Sequence, residues 1–351
     1  MPPTSGSRVS TAAPVAARPP RSPGAPGRNL GLDLVRVTEA AALAAGRFMG
    51  RSEKNACDAA AVGAMRFVLA DVEMDGVVVI GEGEKDNAPM LFNGESVGTG
   101  RGSPTDVAVD PIDGTSLLAF GRPDAIAVIA VAPRGSMWSP GPALYMRKLV
   151  VGRDISDGIS PAMLDAPVAD LLAMVAERRR EHVRDLTVFV LDRPRHAALI
   201  ADIQAAGARL MLRTDGDVLG ALLAATPGSG VDLLLGIGGT PEGVISACAV
   251  RALGGAMLGQ LAPQKVGERE AILAAGLDLS RIWTERDLVR SEDVFFAATG
   301  ITDGVLLSGV RYSSDGASTE SIVIRGRSGT RRKMSAQHRL DKLMTISPIE
   351  Y

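Results

Sequence analysis

The stretch Val107-Ala108-Val109-Asp110-Pro111-Ile112-Asp113-Gly114-Thr115 runs from small and β-branched apolar residues straight into two aspartates, a glycine and a hydroxyl. Val107–Val109 predicts a buried strand that ends at Asp110, because Pro111 removes a backbone donor. Gly114 permits a tight turn, and Thr115 opens a predicted helix. Two carboxylates three residues apart on such a turn can converge on one point, with free helix N–H groups beside them. Carboxylates bind hard cations and helix N-termini bind phosphate, so the turn predicts the paired cation and anion sites of a metal-assisted phosphatase.

Upstream, Leu30, Leu34, Val37, Ala41, Ala44 and Phe48 recur at helical spacing and predict a helix over 30–49 that stops at Gly50. A second helix, starting near Asp58, carries Val62, Met65, Leu69 and Val72 on one face. Val77-Val78-Val79-Ile80, closed by Gly81, predicts a buried strand, as does Ile126–Val131; residues 84–104 predict loops or a polar hairpin. Beyond residue 160 the pattern alternates, with strands at Leu186–Leu191, Arg209–Leu212 and Val231–Gly236 and helices at 195–206, 217–225 and Pro241–Leu253. Val294–Ala298 reads as a last central strand. That repetition predicts a largely parallel or mixed sheet in the second half. Ser321–Arg325 alternates, turns at Gly326–Gly329 and predicts an edge hairpin.

A chain of 351 residues favours two domains, placed at 30–160 and 161–351. Residues 1–29 hold seven prolines among Ser, Ala, Gly and Arg and read as a disordered tail, because they cannot bury enough surface to offset ordering entropy. With 38 Lys+Arg against 40 Asp+Glu, the chain lacks the charge footprint of a nucleic-acid binder. Two cysteines, Cys57 and Cys248, are too few for a disulfide scaffold and point to a reducing, cytoplasmic setting. No stretch approaches the roughly 18 apolar residues of a membrane span. Gly236-Ile237-Gly238-Gly239-Thr240-Pro241 has proline where a dinucleotide fingerprint wants its third glycine. The three histidines, His182, His196 and His338, match no zinc spacing and read as surface or satisfied core residues. Phosphate-loop and Ser-His-Asp signatures are missing as well.

Asp58, Glu82, Asp110, Asp113 and Glu242 stand near predicted strand ends and helix starts. Any one of them alone is an ordinary cap or turn residue. Together they sum to five negative charges, which two divalent ions would nearly neutralise. Unit charges about 4 Å apart repel by about 4 kcal/mol at an effective dielectric of 20, so clustered carboxylates call for cations.

The Asp110–Thr115 run resembles the metal-binding signature of the inositol monophosphatase and fructose-1,6-bisphosphatase superfamily. Five further blocks extend the likeness, in order, over about 30–345: Lys54–Val62, Val79–Glu84, Leu191–His196, Thr214–Asp217 and Gly236–Gly243. With these, the chain resembles the class II (GlpX-type) bacterial fructose-1,6-bisphosphatases. The resemblance implies a layered αβαβα sandwich with the site between two domains. It implies one divalent ion (Mn2+ or Mg2+) at Asp58 and Glu82, and a second at Asp110, Asp113 and Glu242. Thr115 would orient or activate the attacking water, and Glu84 is either a base behind the ligands or a surface charge. On the substrate side it implies Asp113, Gly114 and Thr115 near one phosphate, and Arg193, Pro194 and Arg195 toward the other, with guanidinium groups suited to phosphate; Lys54 would either neutralise phosphate or pair with a metal-site carboxylate. Tyr145, Asp215, Gly216, Asp217 and Gly239 would contact the sugar phosphate. One departure is Ser52-Glu53, where the family commonly shows Gly-Asp. Cys57, beside Asp58, reads as a small packing residue.

The activity so implied is hydrolysis of fructose 1,6-bisphosphate to fructose 6-phosphate and phosphate, a gluconeogenic step, by a homo-oligomer (dimer or tetramer). Rival readings are a phosphatase also taking sedoheptulose 1,7-bisphosphate, an inositol-monophosphatase-like enzyme, and a catalytically silent sugar-phosphate sensor or RNA-associated protein. The last has only the basic run Arg325–Lys333 in its favour, and such a run is ordinarily a solvated hairpin face.

Overall fold

The computed structural model describes residues 30–82 and 91–351, so the N-terminal tail and Glu84 lie outside the described residues. In chain order the first elements are α1 (Leu30–Gly46), α2 (Lys54–Leu69), β1 (Asp75–Ile80), β2 (Ser96–Val97), β3 (Pro104–Asp113), α3 (Thr115–Ala119) and β4 (Ile126–Pro133). There follow β5 (Tyr145–Val151), α4 (Val168–Arg179), β6 (Thr187–Leu191), α5 (Ala197–Ala205), β7 (Arg209–Arg213), α6 (Asp217–Ala225), β8 (Leu233–Gly239) and α7 (Thr240–Leu253). The chain closes with β9 (Ala256–Leu261), α8 (Glu268–Ala274), β10 (Ile282–Thr284), α9 (Glu285–Leu288), β11 (Phe295–Gly300), β12 (Arg311–Ser313), β13 (Gly316–Arg325), β14 (Thr330–His338) and α10 (Leu340–Ile346).

Two mixed sheets result. The first runs β12-β13-β11-β4-β3-β1-β2, with β14 also paired to β13; only β1 and β3 are parallel. The second runs β10-β9-β5-β8-β6-β7, with β6 parallel to both β7 and β8. Leu34, Val37 and Ala41 of α1 bury against Val107, Val109 and Ile129 on the outer face of the first sheet. Between the sheets, Leu222 of α6 and Val244, Ala247 and Cys248 of α7 pack with Val128 and Phe296 from one sheet and Met146 and Phe189 from the other. Leu172 and Val175 of α4 and Ile203 of α5 cover the far face, over Val188, Val190 and Leu233. Helix, sheet, helix, sheet, helix: the α/β sandwich has the expected layers.

Several boundaries differ from the sequence pattern. The α-helix α1 ends at Gly46; the N–H groups of Phe48 and Met49 bond back to Ala45 and Gly46 at 2.9 and 3.2 Å, a tightened final turn that Gly50 closes. Starting at Lys54, α2 begins earlier than near Asp58, which stacks Lys54 and Asp58 one turn apart on one face. Strand β3 does not stop at Asp110. Its register against β4 shifts between Asp110 and Asp113, and Pro111 sits in that irregularity, where the ladder asks no N–H of it. The expected last central strand, β11, is central, but in the first sheet, between β4 and β13. Strands β11–β14 thus return to the first sheet, while β5 already opens the second at Tyr145, so no single cut near residue 160 separates the two sheets.

Candidate active site

The ends of β1 and β3 meet the starts of α2, α6 and α7 around a cavity of about 350 Å3. Helix α2 contributes Lys54 and Asp58, and the residue pair after β1 contributes Glu82, whose N–H is held by Leu91 O at 3.1 Å. Asp110 and Asp113 arrive on the irregular end of β3, followed by Gly114 and Thr115. From the second sheet come Asp215 and Asp217, and from α7 Glu242. All five proposed metal ligands therefore line one cavity, although they come from four separate segments.

Local hydrogen bonds fix the turn. Asp110 Oδ1 accepts the Ile112 N–H at 3.0 Å, folding the aspartate over its own backbone. The Thr115 hydroxyl lies 3.2 Å from Asp58 Oδ1 and 3.3 Å from Ile112 O, so it can donate to either. Lys54 Nζ donates to Ser116 Oγ at 2.9 Å, which ties α2 to the start of α3.

The two halves also exchange caps. Gly114 (φ 96°) and Gly216 (φ 86°) each take left-handed backbone just ahead of a helix, and neither can supply a side-chain cap. Instead, the Leu219 N–H of α6 donates to Asp113 Oδ2 at 2.8 Å, and the Ser116 N–H of α3 donates to Asp215 Oδ2 at 3.3 Å. Each turn's aspartate thus caps the other turn's helix. Arg213 Nε donates to Asp124 Oδ2 at 2.7 Å and Arg122 Nη1 to Thr214 Oγ1 at 3.3 Å, reinforcing the same seam.

Burial raises the Asp113 carboxyl well above the usual carboxylate range; the charge of Asp217 adds to this, the Leu219 N–H opposes it, and Asp215 and Glu242 push the same way. Among the described residues no three Asp, Glu, His or Cys side chains are drawn together closely enough to hold an ion. The donor set nevertheless suits hard divalent cations: every candidate is a carboxylate, and the acids around Asp113 repel one another.

Arg195 stacks over the Tyr145 ring, 5.5 Å from its centroid, and both its Nε and Nη2 donate to Ile237 O, at 3.1 and 2.8 Å. Tyr145 pairs with Gly239 across β5 and β8. Arg193 reaches to 3.8 Å from Asp215. Tyr145, Arg193, Pro194, Arg195, Gly216 and Gly239 do not line this cavity.

A family model described as bacterial fructose-1,6-bisphosphatase, glpX-encoded, matches residues 28–338. The chain belongs to this family. It is 44% identical over 328 residues to fructose-1,6-bisphosphatase 1 class 2 of Escherichia coli K12, covering 90% of this chain and 96% of that protein. Class 2 fructose-1,6-bisphosphatases of Escherichia coli O6:H1 and Shigella flexneri match with the same identity and coverage.

Within this glpX-family chain, sequence reasoning missed several residues of the site. Asn55, Asn93, Gly141, Ala143, Leu144 and Ile245 also line the cavity and carry no charge that would single them out. His196 is a satisfied core residue: Nδ1 bonds Leu191 O at 2.6 Å and Nε2 accepts the Ile237 N–H at 2.7 Å. It thereby fixes the carbonyl-bearing residue that Arg195 grips. Cys57 is fully buried, and burial with the neighbouring Asp58 charge pushes its thiol up to about 12, as suits packing rather than reactivity.

Proposed function

We propose that the protein hydrolyses fructose 1,6-bisphosphate to fructose 6-phosphate and inorganic phosphate, with Mn2+ or Mg2+ held by Asp58 and Glu82 and by Asp110, Asp113 and Glu242. The observation that carries this reading is five carboxylates from four segments lining one cavity, in a chain that covers 96% of a relative named for that activity. The chemistry that two divalent cations supply when bound is Lewis acidity toward water and the phosphoryl oxygens.

The chain's own groups do the rest. Thr115, whose hydroxyl can donate to Asp58, keeps its lone pairs to orient the attacking water. Lys54 and the Gly114–Thr115 turn receive the phosphate that reacts. Arg193 and Arg195 receive the other phosphate, where a guanidinium offers paired donors to its oxygens. Asp215 and Asp217 accept hydrogen bonds from sugar hydroxyls. Among the described residues no helix is long and apolar enough to cross a membrane. We read the protein further as a cytoplasmic homo-oligomer, a reading that light scattering and fractionation would check.

The test is phosphate release by purified protein with Mn2+ across fructose 1,6-bisphosphate, sedoheptulose 1,7-bisphosphate and inositol 1-phosphate. Turnover of the fructose substrate is expected. Turnover of inositol 1-phosphate alone, or of nothing, would overturn the reading.

A further inference from the structure

Lys148 is only 1% exposed, among the largest fully buried side chains, and the chemistry above does not use it. Alternation along β5 puts Met146, Lys148 and Val150 on one face, and Met146 and Val150 both belong to the core between the sheets. A lysine where the pattern asks for a hydrophobe is the kind of local conflict that marks functional positions. Buried ammonium groups persist when paired. Lys148 Nζ donates to Asp217 Oδ2 at 2.5 Å. The backbone is cut away to admit the pair: a Cβ on Gly238 would stand 1.7 Å from that same oxygen and 3.2 Å from Nζ, and one on Gly243 would stand 3.3 Å from Lys148 Cε. Asp217 is the first residue of α6 and lines the cavity, so the ammonium stands directly behind its wall.

Resting on the functional reading above, we infer that Lys148 is a positioning residue: it pins the Asp217 carboxylate against Gly238, on the sugar side of the site, so that this acid serves substrate hydroxyls and does not join the cation ligands. Lys148 itself touches neither substrate nor cation.

The test is a double-variant cycle in the full-length protein, reading KM, kcat and melting temperature with Mn2+ and fructose 1,6-bisphosphate. Lys148→Met and Asp217→Asn should each raise KM about ten- to a hundredfold, the worth of a hydrogen bond to a charged group, with kcat changed less than about threefold. The double variant should be no worse than the poorer single. A further tenfold rise in KM for the double over both singles would overturn the inference, and so would a wild-type KM for Lys148→Met. Should Lys148→Met not fold, the double variant carries neither buried charge, and its KM against that of Asp217→Asn still decides. A crystal structure of Lys148→Met, or of the double variant, separates this inference from the functional reading. An acid or amide 217 that stays on Gly238 without Lys148 overturns the inference whatever the substrate, whereas a wild-type protein that releases no phosphate overturns only the functional reading.

Discussion

Gly239→Ala should separate turnover from stability. Gly239 has φ −67° and ψ 142°, a conformation alanine adopts freely. Its added Cβ would stand 1.7 Å from Glu242 Oε2 and 2.4 Å from Cδ, where ordinary contact begins at 3.4 Å. The carboxylate must therefore retreat by about 1.7 Å, a distance the end of a glutamate side chain can cover by rotation. Misplacing a group of the reacting site by about 1 Å costs up to about a hundredfold in rate, or about 2.7 kcal/mol of barrier. On the stability side, glycine-to-alanine at a compatible position contributes about 0.4–1 kcal/mol by restricting the unfolded chain. A change of 1 kcal/mol moves the melting temperature of a 150–250-residue protein by roughly 2–4 °C, so this variant should melt within about 4 °C of wild type. The assay is steady-state phosphate release with saturating Mn2+, paired with thermal denaturation. A kcat within threefold of wild type would refute the reasoning, because it would mean that the position of Glu242 does not matter.

Asp110→Asn or Glu242→Gln should each lower kcat by at least about a hundredfold, since each removes a charged oxygen donor from the proposed cation site; steady-state kinetics at high Mn2+ checks this. Arg195→Ala should raise KM about tenfold with kcat little changed, and an unaltered KM would count against phosphate recognition there. Burial holds the His196 imidazole below its ordinary value of 6.5, outweighing its bond to Leu191. Its contribution to stability is therefore full above about 6.5 and is lost as pH falls through the lowered value, where the imidazolium can no longer accept the Ile237 N–H. Urea unfolding of wild type and His196→Gln should show a smaller difference in stability at pH 5.5 than at pH 8.

Local signals were read well where local physics decides. Helix α6 spans 217–225 as predicted, and Gly114 turns the chain into the helix that Thr115 opens, although β3 runs on through Pro111 to Asp113. Other elements resist reading for physical reasons. Strand β5 hides because Lys148 interrupts its buried face, and β9 carries Gly259, where a Cβ would stand 2.4 Å from Met146 Sδ. Strand β11 is apolar on both faces, so nothing local says which sheet it joins; that depends on pairing with β4, more than 150 residues earlier in the chain, as the partners Phe295 and Val131 show. The five acids were legible only as a set, since any one of them alone reads as a cap or turn residue, and the structure lines one cavity with all five. Its uncharged lining, and the exchange of caps between Asp113 and Asp215, depend on how two distant turns face each other.

The account rests on carboxylates from both halves of the molecule chelating cations in one cavity. Anomalous diffraction at the manganese edge, from crystals soaked in Mn2+, tests this most directly. The account predicts two peaks in the cavity, one beside the carboxylates of Asp58 and Glu82, the other beside those of Asp110, Asp113 and Glu242. A cavity without anomalous density at saturating Mn2+, or peaks only elsewhere, would contradict it.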